Sequence, residues 1–202
     1  QSRAQQILET FREMNIDSSP ETQTNLQSVV QFYMDAAESY CKEGCMRNAQ
    51  SCMKQARLVA LQLHFLSVGV KVIHMSDEGA DQFIKSHPRF SEALIVSESY
   101  NRKSCWGHAL CHNVLVNGDF RYLQELKRYV KLTNSLIQEV VKIFMEDPNR
   151  SVNPKILEKF IGHCTDLKLQ IQLASDLDLR GFVSELQRRD CSSYVQDIMA
   201  SS

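Results

Sequence analysis

Apolar residues recur at intervals of three and four in the first third of the chain, the spacing that puts them on one face of an α-helix. Ser19 and Pro20 are a typical N-cap and first helical residue, and Gly44 is a typical helix end. A second apolar stripe runs from Cys45 to Leu63. The two stripes can close on each other, so this region predicts an antiparallel helical hairpin.

The residues near the predicted turn follow the small-and-aromatic pattern of a tetratricopeptide hairpin. Small residues let the helices approach closely, an aromatic residue fills the wedge between them, and a glycine supplies the turn. We assign these structural roles to Ala37, Tyr40, Gly44, Ala49, Met53 and Ala56. A hairpin of this kind leaves apolar surface for a neighbouring hairpin, which predicts stacking.

The rest of the chain also favours helix. Shorter helices are predicted over 76–86 and 88–100, and a second helix–turn–helix unit over 103–130, with a turn at Gly118 and an N-cap at Asp119. Further helical stripes follow Leu136 and Asn153. Residues 67–75 are predicted to be irregular. Apolar and polar residues alternate over 167–173 as they would in a half-buried strand, but the strong helix propensities of these residues favour a helix.

These patterns predict an all-α fold, a degenerate α-solenoid of stacked antiparallel helical hairpins that is tetratricopeptide-like. No tract rich in proline, glycine and serine divides the chain, so we expect one elongated domain over residues 1–202. Because the first residue is Gln1, we expect the chain to be a piece of a larger protein.

Composition narrows the classes of function. The chain has 23 Lys and Arg against 24 Asp and Glu, so its net charge of -1 lacks the basic field of a nucleic-acid binder. Its most hydrophobic stretch, residues 58–75, is interrupted by polar side chains, which argues against direct membrane insertion. Seven cysteines, an odd number with no secretory leader, indicate a reducing, cytoplasmic environment.

One segment has candidate metal ligands. His108 and His112 lie four residues apart on one helical face, with Cys105 and Cys111 nearby. The segment lacks the glutamate between histidines that zinc proteases require, so core packing is the competing interpretation. We therefore expect the chain not to be an enzyme. The enzyme alternative is a zinc- or thiol-dependent site centred on Cys105, His108 and His112, whereas we expect no cofactor and no metal.

Three aromatic residues are candidate partner contacts, because aromatic side chains supply much of the binding energy at protein interfaces. They are Trp106, Tyr122 and Tyr129, of which the two tyrosines are seven residues apart on one predicted helical face. Packing in the core is the alternative for all three.

Several segments, in order and spacing, resemble the spatacsin C-terminal domain family over most of residues 40–190. They are KEGC at 42–45, LQLHFL at 61–66, PRF at 88–90, ALIVSESY at 93–100, VLVNGDFRYLQELK at 114–127 and DLKLQIQLA at 166–174. Residues 1–36 contribute nothing to this resemblance.

The resemblance implies that the chain is a C-terminal fragment of its larger protein. It also implies a non-enzymatic scaffold for protein–protein interactions at the cytosolic face of late endosomes and lysosomes. It further implies action with spastizin and the fifth adaptor-protein complex in lysosome reformation and endosomal sorting. Small-GTPase binding on a helix-pair surface is the alternative within the class of binding proteins.

Overall fold

The structure is a computed structural model that describes residues 2–12, 18–102, 105–147 and 152–189. It divides into two compact units, residues 1–103 (unit 1) and 104–202 (unit 2). All secondary structure in the described residues is helical, which confirms the all-α class. In that part of the chain, every helix is too short or too polar to cross a lipid bilayer.

The described residues of unit 1 form five α-helices and one short 3₁₀ turn. They are α1 (Ser2–Thr10), α2 (Pro20–Lys42), α3 (Met46–Phe65), the 3₁₀ turn Leu66–Val68, α4 (Asp77–Ser86) and α5 (Phe90–Ser99). Helices α2 and α3 form the predicted hairpin, with α1 packed on α2 and α5 packed on α3. The irregular stretch predicted near residues 67–75 is confirmed as the 3₁₀ turn and the loop that follows it.

The ends of α2 are formed by the residues that the sequence indicated. The Ser19 hydroxyl accepts a hydrogen bond from the Thr22 N–H at 3.2 Å, which caps the first turn. Gly44 has a left-handed φ of +74°, and the Cys45 N–H donates to the Tyr40 carbonyl at 2.8 Å. This Schellman arrangement reverses the chain and starts α3.

Burial modifies the predicted roles of the hairpin residues. Ala37, Ala49 and Ala56 are buried between the helices, as close packing requires. Tyr40 is only partly buried, however, and Tyr33 is the buried tyrosine of α2, next to Cys52 of α3. The buried aromatic residue between the helices is therefore Tyr33, seven residues or about two turns before the predicted Tyr40. Met53 is also only partly buried.

Unit 2 contains six α-helices and a π-helical segment in its described residues. They are α6 (Trp106–Leu110), the π-helix Cys111–Val116, α7 (Phe120–Tyr129), α8 (Asn134–Glu146), α9 (Pro154–Ile161), α10 (Leu167–Asp176) and α11 (180–189). The π-helix packs against α6, α7, α8 and α9, so it lies at the centre of this unit.

The strand-like alternation at residues 167–173 folds as α10, so the helix prediction there is confirmed. Its N-cap is Asp166, whose carboxylate accepts hydrogen bonds from the N–H groups of Lys168 and Leu169. Asp119 caps α7 in the same way through the Arg121 N–H at 2.9 Å. The solenoid arrangement and the single elongated domain stay predictions.

Candidate interaction surface

A loop in unit 1, residues 69–75, is held by one buried glutamine. Gln62 of α3 is 1% exposed. Its amide nitrogen donates to the Val70 carbonyl at 2.9 Å, and its amide oxygen accepts from the N–H groups of Val72 at 2.7 Å and Ile73 at 3.3 Å. Because each buried polar group finds a partner, the loop has one defined conformation.

This loop in turn fastens α1. The Lys71 ammonium donates to the carbonyls of Phe11 and Arg12 at 3.2 Å each, and His74 Nε2 lies 2.8 Å from the Leu8 carbonyl. Carbonyls at a helix C-terminus carry partial negative charge, so a cation there is favourable. Burial of Leu8 and Phe11 adds an apolar contact. Helix α1 is thus attached to unit 1 by its C-terminal end.

Two clefts flank the attached end of α1. Their volumes are about 340 and 290 Å³, and Leu8, Gln55 and His74 line both of them. Tyr33 lines the first cleft and Tyr100 lines the second. The walls combine apolar surface with amides, hydroxyls and an imidazole, which suits side chains of a bound protein segment. We name these two cavities the α1 clefts.

A buried carboxylate lies at the corner between α4 and α5. Glu92 Oε2 is 2.5 Å from His87 Nε2, and Glu92 Oε1 is 3.1 Å from an Arg89 guanidinium nitrogen. His64 Nε2 is 3.8 Å away, and the His87 ring stacks on Phe83 with centroids 4.2 Å apart. These contacts satisfy the carboxylate and fix the corner. Sequence spacing alone gave no signal for this cluster, because its histidines are 23 residues apart.

The predicted aromatic contacts do not share one surface. Trp106 and Tyr122 are 5% and 2% exposed, so both are core residues of unit 2. Tyr129 is 69% exposed. Placing the two tyrosines on one accessible face is therefore wrong, and of the three candidates only Tyr129 is exposed to a partner. Its role in binding stays a prediction.

The cysteine and histidine residues near α6 are not grouped. Cys105 and Cys111 are buried, whereas His108 and His112 are exposed. Burial, with a smaller contribution from Asp147, raises the pKa of the Cys111 thiol to about 11, which disfavours the thiolate needed for attack or ligation. Across the described ranges, no set of three His, Cys, Asp or Glu side chains is placed to hold a metal ion.

The Spatacsin C-terminus family matches residues 1–146 of the chain. The chain belongs to this family. Spatacsin of Mus musculus is 32% identical to it over 151 residues, which are 74% of this chain and 6% of that protein. A Dictyostelium discoideum protein is 31% identical over 163 residues, which are 79% of this chain and 4% of its own length. No solved structure matches the chain.

The extent of the Spatacsin C-terminus match differs from the resemblance read off the sequence. The match includes residues 1–36, which the quoted segments left out, and it thus covers all of α1 and α2. It ends at residue 146, before α9. The α1 clefts lie wholly inside the matched range, so this candidate site belongs to the family part of the chain.

Proposed function

We propose that this chain is a non-enzymatic protein–protein interaction module of a spatacsin-type scaffold, acting at the cytosolic face of late endosomes and lysosomes. Membership of the Spatacsin C-terminus family is the observation that carries the proposal. The partners we propose are spastizin and subunits of the fifth adaptor-protein complex, and the processes are lysosome reformation and endosomal sorting.

The proposed architecture of this module is a degenerate α-solenoid. The α2–α3 hairpin supports it, because a hairpin closed by a glycine turn is the repeating unit of such proteins. Stacked hairpins present extended surfaces on which helices or peptides bind without any preorganised catalytic groups.

We propose the α1 clefts as the partner contact in unit 1. They are concave, of a size that takes one or two side chains, and they border the end of α1 that Lys71 and His74 contact. Gln55 lines both clefts from α3, so a longer charged side chain at this position obstructs both at once.

The test compares Gln55→Arg with the matched control Gln50→Arg, an exposed residue on the same helix that lines neither cleft. Tagged protein is used to capture purified spastizin and adaptor subunits. We expect Gln55→Arg to weaken capture about tenfold or more, since obstructing a central contact costs on the order of 1.4 kcal/mol or more. We expect Gln50→Arg to bind as the unchanged chain does.

The proposal is wrong if the folded, unchanged chain captures none of these proteins while the rest of a full-length relative captures them normally. Equal capture by both variants would show that the α1 clefts are not the partner contact. It would leave the proposed interaction role of the chain in place. Binding instead to a small GTPase in one nucleotide state only would replace these partners with the GTPase alternative.

A further inference from the structure

Two exposed lysines of unit 2 lie on helices α7 and α9. They are Lys127 of α7 and Lys159 of α9. Among the described residues of unit 2, ion pairs join Lys142 to Glu146, Arg180 to Asp178 and Arg189 to Glu185, and neither lysine takes part in them. Because both side chains are exposed, an incoming anion can reach them.

One contact between α9 and α7 brings Lys159 to the helix face that also holds Lys127, because Lys127 lies seven residues, about two turns, after Phe120. The Lys159 ammonium lies 3.9 Å from the centroid of the Phe120 ring, at the start of α7. This cation–π contact holds the lysine across the space between the helices. His163 follows α9 and is partly buried. Burial lowers the pKa of its imidazole, and the positive charges of Lys127 and then Lys159 lower it further.

The surrounding sequence is basic although the whole chain is not. Residues 119–131 and 154–163 together contain six Lys and Arg against three Asp and Glu, whereas the complete chain has 23 against 24. The three acidic residues, Asp119, Glu125 and Glu158, are interspersed among the basic ones. Asp119 is engaged as the N-cap of α7.

We infer that the surface formed by Phe120, Lys127, Lys159 and His163, here the α7–α9 surface, binds an acidic segment of a partner protein. Lys127 and Lys159 would pair with carboxylates spaced along that segment, and the Phe120 ring would pack beneath its aliphatic side-chain carbons. This inference goes beyond the proposed function, because it concerns a different site and holds whichever protein supplies the segment.

The pattern of charges favours a peptide over a membrane or a nucleic acid. A lipid headgroup layer or a phosphate backbone is uniformly negative, so Glu125 and Glu158 would be repelled from it. Electrostatic membrane anchors also use clusters of about four to eight basic residues. The carboxylates of a peptide are discrete, so they can pair with the lysines and leave Glu125 and Glu158 facing neutral positions.

The experiment uses the 202-residue chain and a fluorescent helical peptide with glutamates spaced three and four residues apart. A peptide with glutamine at those positions is the neutral control. We expect the acidic peptide to raise fluorescence anisotropy and to bind more weakly as salt increases. We expect Lys127→Glu with Lys159→Glu to weaken binding about tenfold or more, Lys127→Gln with Lys159→Gln to weaken it less, and Lys159→Arg to retain it.

A matched control carries the same change of net charge in unit 1. Arg47→Glu with Lys54→Glu alters two exposed residues of α3 and should leave peptide binding within about twofold. Circular dichroism establishes that each variant is folded, and the glutamine pair keeps the test valid if the glutamate pair does not fold. Equal weakening by both charge-reversal pairs, or no binding of the peptide, overturns the inference.

Two further probes address other anionic ligands. Vesicles with phosphatidylserine and a short single-stranded oligonucleotide are titrated against the same variants. Tighter binding of either probe than of the acidic peptide, lost on substitution of Lys127 and Lys159, would contradict the assigned class of partner.

Discussion

Three polar side chains within the most hydrophobic stretch of the chain, Gln62, Lys71 and His74, hold unit 1 together. In the sequence, these polar side chains interrupt the hydrophobic stretch and so argue against a membrane-spanning segment. In the structure, Gln62 holds the loop, and the loop presents Lys71 and His74 to the end of α1. The bound His74 adopts a left-handed φ of +56°, a conformation that side chains other than glycine rarely adopt.

We predict that Gln62→Leu lowers the free energy of unfolding by about 2–4 kcal/mol. The substitution removes three hydrogen bonds and leaves the buried N–H groups of Val72 and Ile73 without that acceptor. Denaturant unfolding followed by circular dichroism measures the change. Gln50→Leu, on the exposed part of the same helix, should stay within about 0.5 kcal/mol. Identical unfolding midpoints for the two variants would contradict this account.

The π-helix shows how an element can depart from its sequence pattern. The apolar spacing of Trp106, Leu110 and Val114 predicts one regular helix ending at Gly118. Their burial is confirmed, but residues 111–116 form π-helical turns. Inside them the buried Asn113 amide donates to the Ala109 carbonyl at 3.0 Å. Such turns are rare and often lie at functional sites, and nothing local distinguishes them from an α-helix.

The Gly44 turn permits a prediction about how α2 and α3 are joined. Gly44→Ala should lower the free energy of unfolding by about 1–2 kcal/mol, because a Cβ disfavours the left-handed backbone. An added Cβ would meet nothing within 4 Å, so the cost is backbone strain alone. The matched control is Gly181→Ala in α11, where no positive φ occurs and alanine should stabilise the helix by about 0.5–1 kcal/mol. Thermal unfolding should give a lower midpoint temperature for Gly44→Ala and a higher one for Gly181→Ala than for the unchanged chain.

Across the whole molecule, the fold separates the cysteines into exposed and buried groups. Cys41 and Cys45 flank the Gly44 turn and are exposed, whereas Cys52, Cys105, Cys111 and Cys164 are buried. Cys191 lies outside the described residues. The buried thiols therefore pack in the core, as the core-packing interpretation predicts for Cys105 and Cys111.

We predict that iodoacetamide at mildly alkaline pH modifies Cys41 and Cys45 well before Cys111. The thiolate is the reacting form, and burial of Cys111 raises its pKa to about 11. Peptide mass mapping at increasing times measures each rate, and guanidinium chloride should make the rates similar. Modification of Cys111 as fast as Cys41 in the folded chain would contradict the burial.

Helix content, the caps at Ser19, Asp119 and Asp166, and the turn at Gly44 follow from residues close together in the chain, because local hydrogen bonds and backbone preferences govern them. The family resemblance could likewise be recognised from ordered segments. The α1 clefts, the Glu92 cluster, the burial of Tyr122 and the pairing of Lys159 with Phe120 depend on packing between helices far apart in sequence. Helical periodicity says which side of a helix is buried, and only packing decides which neighbour covers it.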